Sequence, residues 1–290
     1  MKPPRDYFDL LDAIHRITVP RTYVEIGVAS GKSLSLALPG TTLIGIDPAA
    51  NIRHPVSGTL HVFHETSDDF FAAGMLRHVP GGLPVDVAFI DGLHHFDAVL
   101  RDFRNLEEVS SEESVILIHD CVPPENQIAS RERDTCLWTG DVWKAIIGLR
   151  QHRPDLTISV LDVSPTGVAV VTGLRPRSRV LFERYDEICA TLAQLSLPDS
   201  TAARRALLGV TPFDWVALES QLPSHPFRAE PVGHLLRQRR LRMPSPEYVF
   251  WRLRRVIRYS PVGRHVLPLR YSAPLPVEGA SSSHNRAGLD

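Results

Sequence analysis

Short apolar runs alternate with amphipathic segments through residues 1–172. The runs are rich in β-branched side chains and are bounded by glycine, proline, aspartate or serine, as strands are. They cover residues 22–26, 42–46, 59–63, 85–90, 114–118, 157–161 and 167–171. Apolar residues recur at helical spacing in segments 6–17, 32–38, 67–76, 95–109 and 141–150. This alternation predicts a doubly wound, mostly parallel α/β sheet of seven strands with helices on both faces.

The last two strands and the segment before them break the pattern. A Ser-Pro-Thr-Gly turn at 164–167 joins the last two runs, which predicts a hairpin with an antiparallel strand at one edge of the sheet. Residues 121–140 are polar and without periodicity. A loop of this length in a compact domain is typically functional or mobile.

Beyond residue 172 the periodicity weakens, and we divide the chain there. The expected parts are a domain of residues 1–172, a helical and basic extension of residues 173–271, and a tail of residues 272–290. Helices are predicted at 178–195, 212–222 and 246–259. The tail is rich in serine, proline and alanine, so we expect it to be disordered.

Charge is distributed unevenly along the chain. Between residues 228 and 270, eleven arginines accompany two glutamates, whereas residues 1–227 are acidic overall. The segment 247–259 predicts a basic amphipathic helix. Such a helix docks on the acidic body or on a second subunit, lies on an anionic membrane surface, or binds another partner. Homo-oligomer formation and peripheral membrane contact therefore both remain open.

Composition restricts the class of protein. The chain has 290 residues, 43% hydrophobic and 22% charged, with a net charge of −1, which is ordinary for a soluble globular protein. Bulk charge gives no indication of nucleic-acid binding. No apolar run approaches the roughly 18 residues that span a bilayer. Three scattered cysteines favour neither a disulfide framework nor a cysteine zinc site, and we expect a reduced, cytoplasmic location.

A glycine-containing turn follows the first strand. The segment 23–33 reads Tyr-Val-Glu-Ile-Gly-Val-Ala-Ser-Gly-Lys-Ser, with Gly27 and Gly31 at positions where a Cβ would block a close approach. Asp47 ends the next strand, where a carboxylate can accept hydrogen bonds from a ribose diol. Glu25 is costly in an apolar strand unless it has a partner, and it would repel a pyrophosphate but attract an amino group. A tight turn without any ligand is the alternative.

These motifs resemble the class I S-adenosylmethionine-dependent methyltransferases. The likeness rests on Glu-x-Gly-x-x-x-Gly at 25–31, Ile-Asp at 46–47 and Phe-Ile-Asp-Gly-Leu-His at 89–94, and it covers residues 5–172. The bacterial group that includes metal-dependent sugar and macrolide O-methyltransferases is the most similar. The resemblance implies methionine contacts at Glu25, Gly27 and Ser33, and ribose contacts at Asp47. It implies adenine contacts at Ser67 and Asp68, with Thr66 and Asp69 equally near. We add Gly31 from the glycine turn and Asp91 from the end of the fourth strand. The predicted cofactor-binding residues are then Glu25, Gly27, Gly31, Ser33, Asp47, Ser67, Asp68 and Asp91.

Two carboxylates and an imidazole follow neighbouring strands. Asp91, His119 and Asp120 lie at carboxyl ends of the fourth and fifth predicted strands, and such a donor set suits a divalent ion. His94 is three residues after Asp91, and we expect it to face the same pocket. His95 is the less favoured candidate for this position. The resemblance implies that Asp91, His119 and Asp120 bind metal and that His94 is the general base. Relatives usually carry an acid at the His119 position. The alternatives are that Asp91 only orients the cofactor or a loop, and that the His119–Asp120 pair caps the next element.

The sequence therefore predicts an S-adenosylmethionine-dependent O-methyltransferase. Its acceptor is expected to be a small-molecule or glycan hydroxyl, such as that of a sugar in a natural product, glycolipid or polysaccharide. S-adenosyl-L-methionine and Mg²⁺ or Mn²⁺ are the expected cofactors, because a metal lowers the pKa of a bound hydroxyl and a histidine can take its proton. The alternatives are a metal-free O- or N-methyltransferase, or a cofactor-binding interaction protein without turnover.

Overall fold

A computed structural model describes residues 2–223 and Phe227. The strands are β1 (Thr22–Ile26), β2 (Thr42–Ile46), β3 (Thr59–Phe63), β4 (Val85–Ile90), β5 (Ser110–His119), β6 (Thr157–Leu161), β7 (Val168–Thr172) and β8 (Val210–Thr211). The α-helices are α1 (Tyr7–Thr18), α2 (Ser67–Ala72), α3 (Phe96–Glu108), α4 (Trp143–His152), α5 (Val180–Glu183), α6 (Tyr185–Ala193), α7 (Thr201–Leu208) and α8 (Trp215–Glu219). Short 3-10 turns lie at Leu34–Leu36, Met75–His78 and Gln127–Ala129.

One sheet organises these elements, in the order β3-β2-β1-β4-β5-β7-β6-β8. The five neighbouring strands β3, β2, β1, β4 and β5 are parallel to one another. Strand β7 is antiparallel to both of its neighbours, β5 and β6. The predicted fold class is confirmed, and so is the hairpin. The predicted number of seven strands is wrong: β8 adds an eighth by pairing parallel with β6. A strand of two residues is too short to show a periodicity, so it could not be predicted from the sequence.

Helices cover both faces of the sheet because the central strands are apolar on both sides, as buried parallel strands are. Along β4, Ala88 and Ile90 face the core beneath α3 and α4, whereas Val87 and Phe89 face the core beneath α1. Helices α5 to α7 contribute Leu181, Ile188, Leu192 and Leu208 to the first of these two cores. Residues up to Leu208 therefore pack on the same layer as α3 and α4.

Local structure departs from the predicted helices in three places. The segment 32–38 forms only the 3-10 turn Leu34–Leu36, where the Ser35 hydroxyl donates to the Lys32 carbonyl at 2.7 Å and competes with helical pairing. The segment 178–195 is divided into α5 and α6 at Arg184. Helix α7, between a Ser200 N-cap and a left-handed Gly209, is not predicted.

Two predictions lie outside the described residues, namely the basic helix at 247–259 and the tail at 272–290. Within residues 2–223, none of the helices combines the length and the apolar character that crossing a bilayer demands.

Candidate active site

The order of the strands reverses between β1 and β4. In open α/β sheets, ligands bind at the carboxyl ends of the strands on either side of such a reversal. The turn after β1 begins at Gly27, and the turn after β4 begins at Asp91. The two turns that the sequence singles out therefore meet at the edge of the sheet where a ligand is expected.

Gly27 makes the closest approach between these two turns. Its φ is +85°, and a Cβ built on it would lie 2.0 Å from the carbonyl oxygen of Asp91. The Asp91 N–H donates to the carbonyl of Ile26 at 2.8 Å, which fixes the approach. Gly31 also has a positive φ, +74°, and a Cβ there would lie 2.9 Å from Ile52 Cδ1. Both glycines therefore meet a backbone requirement that other residues would strain.

Glu25 lies at the base of the glycine turn and is fully buried. It accepts hydrogen bonds from the Tyr23 hydroxyl at 2.9 Å and from the Ser33 hydroxyl. Burial raises the pKa of Glu25 to about 8, and the charges of Asp91 and Asp47 add to this against the two hydrogen bonds. Ser33, the predicted partner of the cofactor carboxylate, is therefore hydrogen-bonded to Glu25.

Asp47 holds the glycine turn from the end of β2. One carboxylate oxygen accepts from the N–H groups of Val28 at 2.9 Å and Ala29 at 2.7 Å. The other accepts from the Ala49 N–H at 2.7 Å. A carboxylate offers about four acceptor positions, so capacity for a ligand hydroxyl remains beside these three bonds.

The predicted adenine residues begin helix α2. Asp68 pairs with the Arg101 guanidinium on α3, with its carboxylate 2.9 Å from Nε. Ser67 hydrogen-bonds the buried Asp102, whose pKa burial raises to about 7. The two side chains thus attach α2 to α3.

Asp91, His94 and Asp120 form a compact cluster at the ends of β4 and β5. Each offers a ligand atom, and these atoms lie within 4.8 Å of one another. His94 Nε2 is 3.6 Å from Asp91 Oδ1, and His94 Nδ1 is 3.2 Å from Asp120 Oδ2. The cluster differs from the predicted metal set in one member, because His94 takes the place of His119.

His119 lies directly behind this cluster. Its Nδ1 is 2.9 Å from Asp91 Oδ1 and 3.6 Å from Asp120 Oδ2, and its Nε2 is 3.5 Å from the Thr166 hydroxyl. Its side chain is 7% exposed, whereas that of His94 is 21% exposed. Of the two imidazoles, His94 is therefore the more accessible.

Burial and pairing oppose each other in this cluster. Burial raises the pKa of Asp91, but the charges and hydrogen bonds of His119 and His94 outweigh it and lower the pKa to about 2. For Asp120, burial and the Asp91 charge raise the pKa despite the two histidines. For His94, burial lowers the pKa, but the neighbouring carboxylates prevail and raise it. The cluster therefore holds a charged carboxylate beside an imidazole of increased basicity.

Asp120 adopts an uncommon backbone conformation, with a φ of +59°. Non-glycine residues in this region cost about 1–3 kcal/mol and are concentrated at functional sites. The Thr166 hydroxyl, from the turn before β7, donates to its carboxylate. The strained backbone at Asp120 therefore lowers stability, and it places this carboxylate in the cluster.

The loop of residues 121–140 folds back over His94. The His94 and Trp138 rings stack with centroids 5.0 Å apart, and His94 Nδ1 lies 2.9 Å from the Trp138 carbonyl oxygen. Trp138 is itself anchored, because its Nε1 donates to the Ser130 carbonyl at 2.7 Å. His95 instead directs its Nε2 to the Arg131 carbonyl, 3.1 Å away.

Sequence reasoning did not identify Tyr7 or Thr166. The Tyr7 ring on α1 lies over His119, and Thr166 lies in the turn before β7. Neither belongs to a sequence motif, so only their contacts in the folded protein identify them.

The donors present fit the expected groups. Two carboxylates and an imidazole within 4.8 Å suit Mg²⁺ or, with nitrogen included, Mn²⁺. A buried carboxyl behind the glycine turn suits a ligand with an amino group, because the pairing would compensate for the burial of Glu25.

Residues 24–121, about a third of the chain, match the family model of a methyltransferase domain. Similar solved structures include the O-methyltransferase TomG from Streptomyces achromogenes, crystallised with SAM. It is 18% identical, with 58% of this chain and 80% of that chain covered and a TM-score of 0.42. An O-methyltransferase from Bacillus cereus in complex with SAH is 15% identical over 60% and 84%, with a TM-score of 0.42. MycE, from the mycinamycin pathway, in complex with Mg and SAH, is 16% identical over 59% and 50%, with a TM-score of 0.40. No curated protein sequence matches this chain.

Proposed function

We propose that this protein, a methyltransferase with its domain at residues 24–121, transfers a methyl group from S-adenosylmethionine to a hydroxyl oxygen. The observation that carries the proposal is the contact between Gly27 and Asp91. It joins the turn suited to the cofactor directly to the cluster suited to an acceptor. Methyl transfer needs both reactants in line, and this contact provides one rigid frame for the two.

The reaction forms one bond and breaks one. The acceptor oxygen attacks the methyl carbon, a carbon–oxygen bond forms, and the carbon–sulfur bond breaks to give neutral S-adenosylhomocysteine. The hydroxyl proton goes to His94 Nε2 and then to water. An imidazole of raised pKa is suited to accept it.

A divalent metal, when bound, would lower the pKa of the acceptor hydroxyl. Asp91 and Asp120 would be ligands in either of two arrangements. In the first, His119 would be the third ligand and His94 would remain the base. In the second, His94 would be the third ligand, which its place within the compact cluster supports.

A metal-free O- or N-methyltransferase is the second candidate. It is favoured by the contacts that the carboxylates already make, Asp91 with His119 at 2.9 Å and Asp120 with Thr166. Both carboxylates have hydrogen-bond partners without an ion. His94 alone would then act as the base.

Apolar side chains beside His94 favour an acceptor with an apolar face. Leu93, which immediately precedes His94, is 54% exposed, and the half-buried Trp138 stacks on His94. A pyranose ring presents such a face together with hydroxyl groups. We therefore propose a small-molecule or glycan sugar as the acceptor.

The first experiment measures S-adenosylhomocysteine and Mn²⁺ binding by calorimetry, followed by methyl transfer to a panel of glycosides with and without chelator. Cofactor binding and loss of turnover in chelator are the expected results. Full turnover in chelator would select the metal-free candidate, and the absence of cofactor binding would overturn the proposal.

Two matched variants, His94→Gln and His119→Gln, decide between the two ligand arrangements. If His94 is the base, His94→Gln keeps Mn²⁺ affinity and loses turnover, while His119→Gln loses Mn²⁺ affinity. If His94 is a ligand, His94→Gln loses Mn²⁺ affinity and His119→Gln keeps it.

A further inference from the structure

Tyr23, Glu25 and Ser33 form a hydrogen-bonded chain at the base of the glycine turn. The Ser33 hydroxyl donates to Oε1 of Glu25, and the Tyr23 hydroxyl donates to Oε2 at 2.9 Å. Glu25 and Tyr23 are both 0% exposed, whereas Ser33 is 8% exposed. Of these three polar side chains, Ser33 is therefore the one that a bound molecule can reach.

The direction of these hydrogen bonds leaves the Ser33 oxygen able only to accept. A charged carboxylate has no hydrogen to give, so both hydroxyls donate to Glu25. A serine hydroxyl has one hydrogen and two lone pairs, and its hydrogen is used here. Ser33 precedes the 3-10 turn Leu34–Leu36 without capping it, and within residues 2–223 and Phe227 no group donates to its hydroxyl oxygen. The oxygen therefore has capacity for a hydrogen-bond donor from a ligand.

Charge at this point also favours a cationic donor. Glu25 lies one hydrogen bond away from the Ser33 oxygen, so it would repel an anionic group bound there and attract a cationic one. The methionine part of S-adenosylmethionine carries both kinds of group. Its ammonium only donates hydrogen bonds, and its carboxylate only accepts them. The ammonium therefore complements Ser33 in both charge and hydrogen bonding.

We propose that Ser33 accepts a hydrogen bond from the amino group of the cofactor, and that Glu25 and Tyr23 are positioning residues that act through it. This inference rests on the proposed function. It changes the role expected from the family resemblance, which assigns the cofactor carboxylate to Ser33. Glu25 attracts the ammonium without touching it, and Tyr23 holds the carboxylate oxygen that Ser33 leaves free.

Three ligands distinguish the two roles of Ser33. S-adenosylhomocysteine carries both groups, one analogue lacks only the α-amino group, and another lacks only the carboxylate. We expect Ser33→Ala to weaken binding of S-adenosylhomocysteine and of the analogue without a carboxylate about 10-fold, the loss of a hydrogen bond to a charged group. Affinity for the analogue without an amino group should be unchanged. Calorimetric titration measures the three affinities, and thermal unfolding verifies that the variant is folded.

Tyr23→Phe is the second variant, and it acts on the other oxygen of Glu25. It should give the same pattern among the three ligands with a smaller loss, about 2- to 5-fold, because the Ser33 oxygen remains. Ser35→Ala is the matched control. It removes a hydroxyl from the same segment, one that donates to the Lys32 carbonyl at 2.7 Å, and it should change none of the three affinities.

A loss in Ser33→Ala confined to the two ligands that carry a carboxylate would restore the role expected from the resemblance and overturn the inference. Equal losses for all three ligands, or no loss for any, would overturn it as well. If Ser33→Ala does not fold, Tyr23→Phe is judged by the same outcomes. Failure of the wild-type protein to bind S-adenosylhomocysteine would instead overturn the proposed function, so the two failures are distinguishable.

Discussion

The Nδ1 atom of His94 lies 2.9 Å from the carbonyl oxygen of Trp138. Because a carbonyl oxygen only accepts hydrogen bonds, Nδ1 carries the hydrogen, and the neutral ring keeps its lone pair on Nε2. The Nε2 atom is 3.6 Å from Asp91 Oδ1 and faces the cluster. A loop without sequence pattern therefore decides which nitrogen of His94 is available for chemistry.

If His94 is the base, its substitution should remove general-base catalysis. We expect His94→Gln to reduce turnover by about 10²- to 10⁴-fold, the usual contribution of a positioned base. The wild-type rate should rise with pH through a pKa above the ordinary histidine value, because the neighbouring carboxylates raise the pKa of His94. His95→Gln is the matched control, and comparable losses in both variants would contradict the assignment.

Cofactor binding should release a proton from Glu25. Burial raises the pKa of this carboxyl to about 8, so it is mostly protonated at pH 7. Pairing with the ligand ammonium favours the charged form and lowers that pKa, so up to one proton leaves per S-adenosylhomocysteine bound. Calorimetry at pH 7 in buffers of different ionisation enthalpy measures the release. Glu25→Gln should abolish it, and a binding enthalpy independent of buffer in the wild type would refute the prediction.

His15 should make the protein sensitive to acid. It is buried against the Tyr23 ring, and within the described residues neither of its ring nitrogens has a hydrogen-bond partner. Burial lowers the pKa of His15 to about 4. The pKa of this histidine in the unfolded chain is about 6.5, so above that pH its protonation does not lower the free energy of unfolding. About 3 kcal/mol is lost as pH falls from 6.5 to 4.

The measurement is urea unfolding between pH 4 and 7. His15→Phe should raise the free energy of unfolding at pH 7 by about 1–3 kcal/mol, because it removes an unsatisfied buried polar group, and should flatten the acid limb. His78→Phe, at an exposed position, should change stability by less than about 0.5 kcal/mol. Equal acid sensitivity of wild type and His15→Phe would rule out this origin.

Gly27→Ala should destabilise the protein by more than the cost of a positive φ alone. Gly74 also has a positive φ, +64°, but a Cβ there meets nothing within 4 Å. Gly74→Ala should therefore cost about 1–2 kcal/mol of unfolding free energy, the penalty of the left-handed conformation alone. Gly27→Ala should cost more and weaken S-adenosylhomocysteine binding, because its Cβ collides with the Asp91 carbonyl. Equal losses in the two variants would show that the close approach is not required.

Strand ends are the part of the site that the sequence predicts well. Buried parallel strands are continuous apolar runs, so their ends are visible, and the positions of Gly27, Asp47, Asp91 and Asp120 at or near those ends follow directly from them. The short helix predicted at 32–38 failed because local hydroxyl bonds compete with helical pairing over so few residues. Periodicity describes long elements better than single turns.

The contacts around the cluster could not be read from the sequence. Thr166 reaches Asp120 from the turn before β7, Tyr7 reaches His119 from the first helix, and Trp138 reaches His94 from an irregular loop. Each is set by tertiary packing between distant segments. The exchange of His119 for His94 in the compact cluster has the same origin, because the loop after β4 brings His94 over Asp120.

The close approach of Gly27 to the Asp91 carbonyl has a thermodynamic consequence. The two turns cannot move independently, so a ligand that shifts one must change the free energy of binding at the other. Linkage is reciprocal: whatever factor the cofactor contributes to the affinity for a metal or acceptor at Asp91, that ligand contributes equally to the affinity for the cofactor. If the cofactor and a second ligand bind at these two turns, their affinities are thus expected to be coupled.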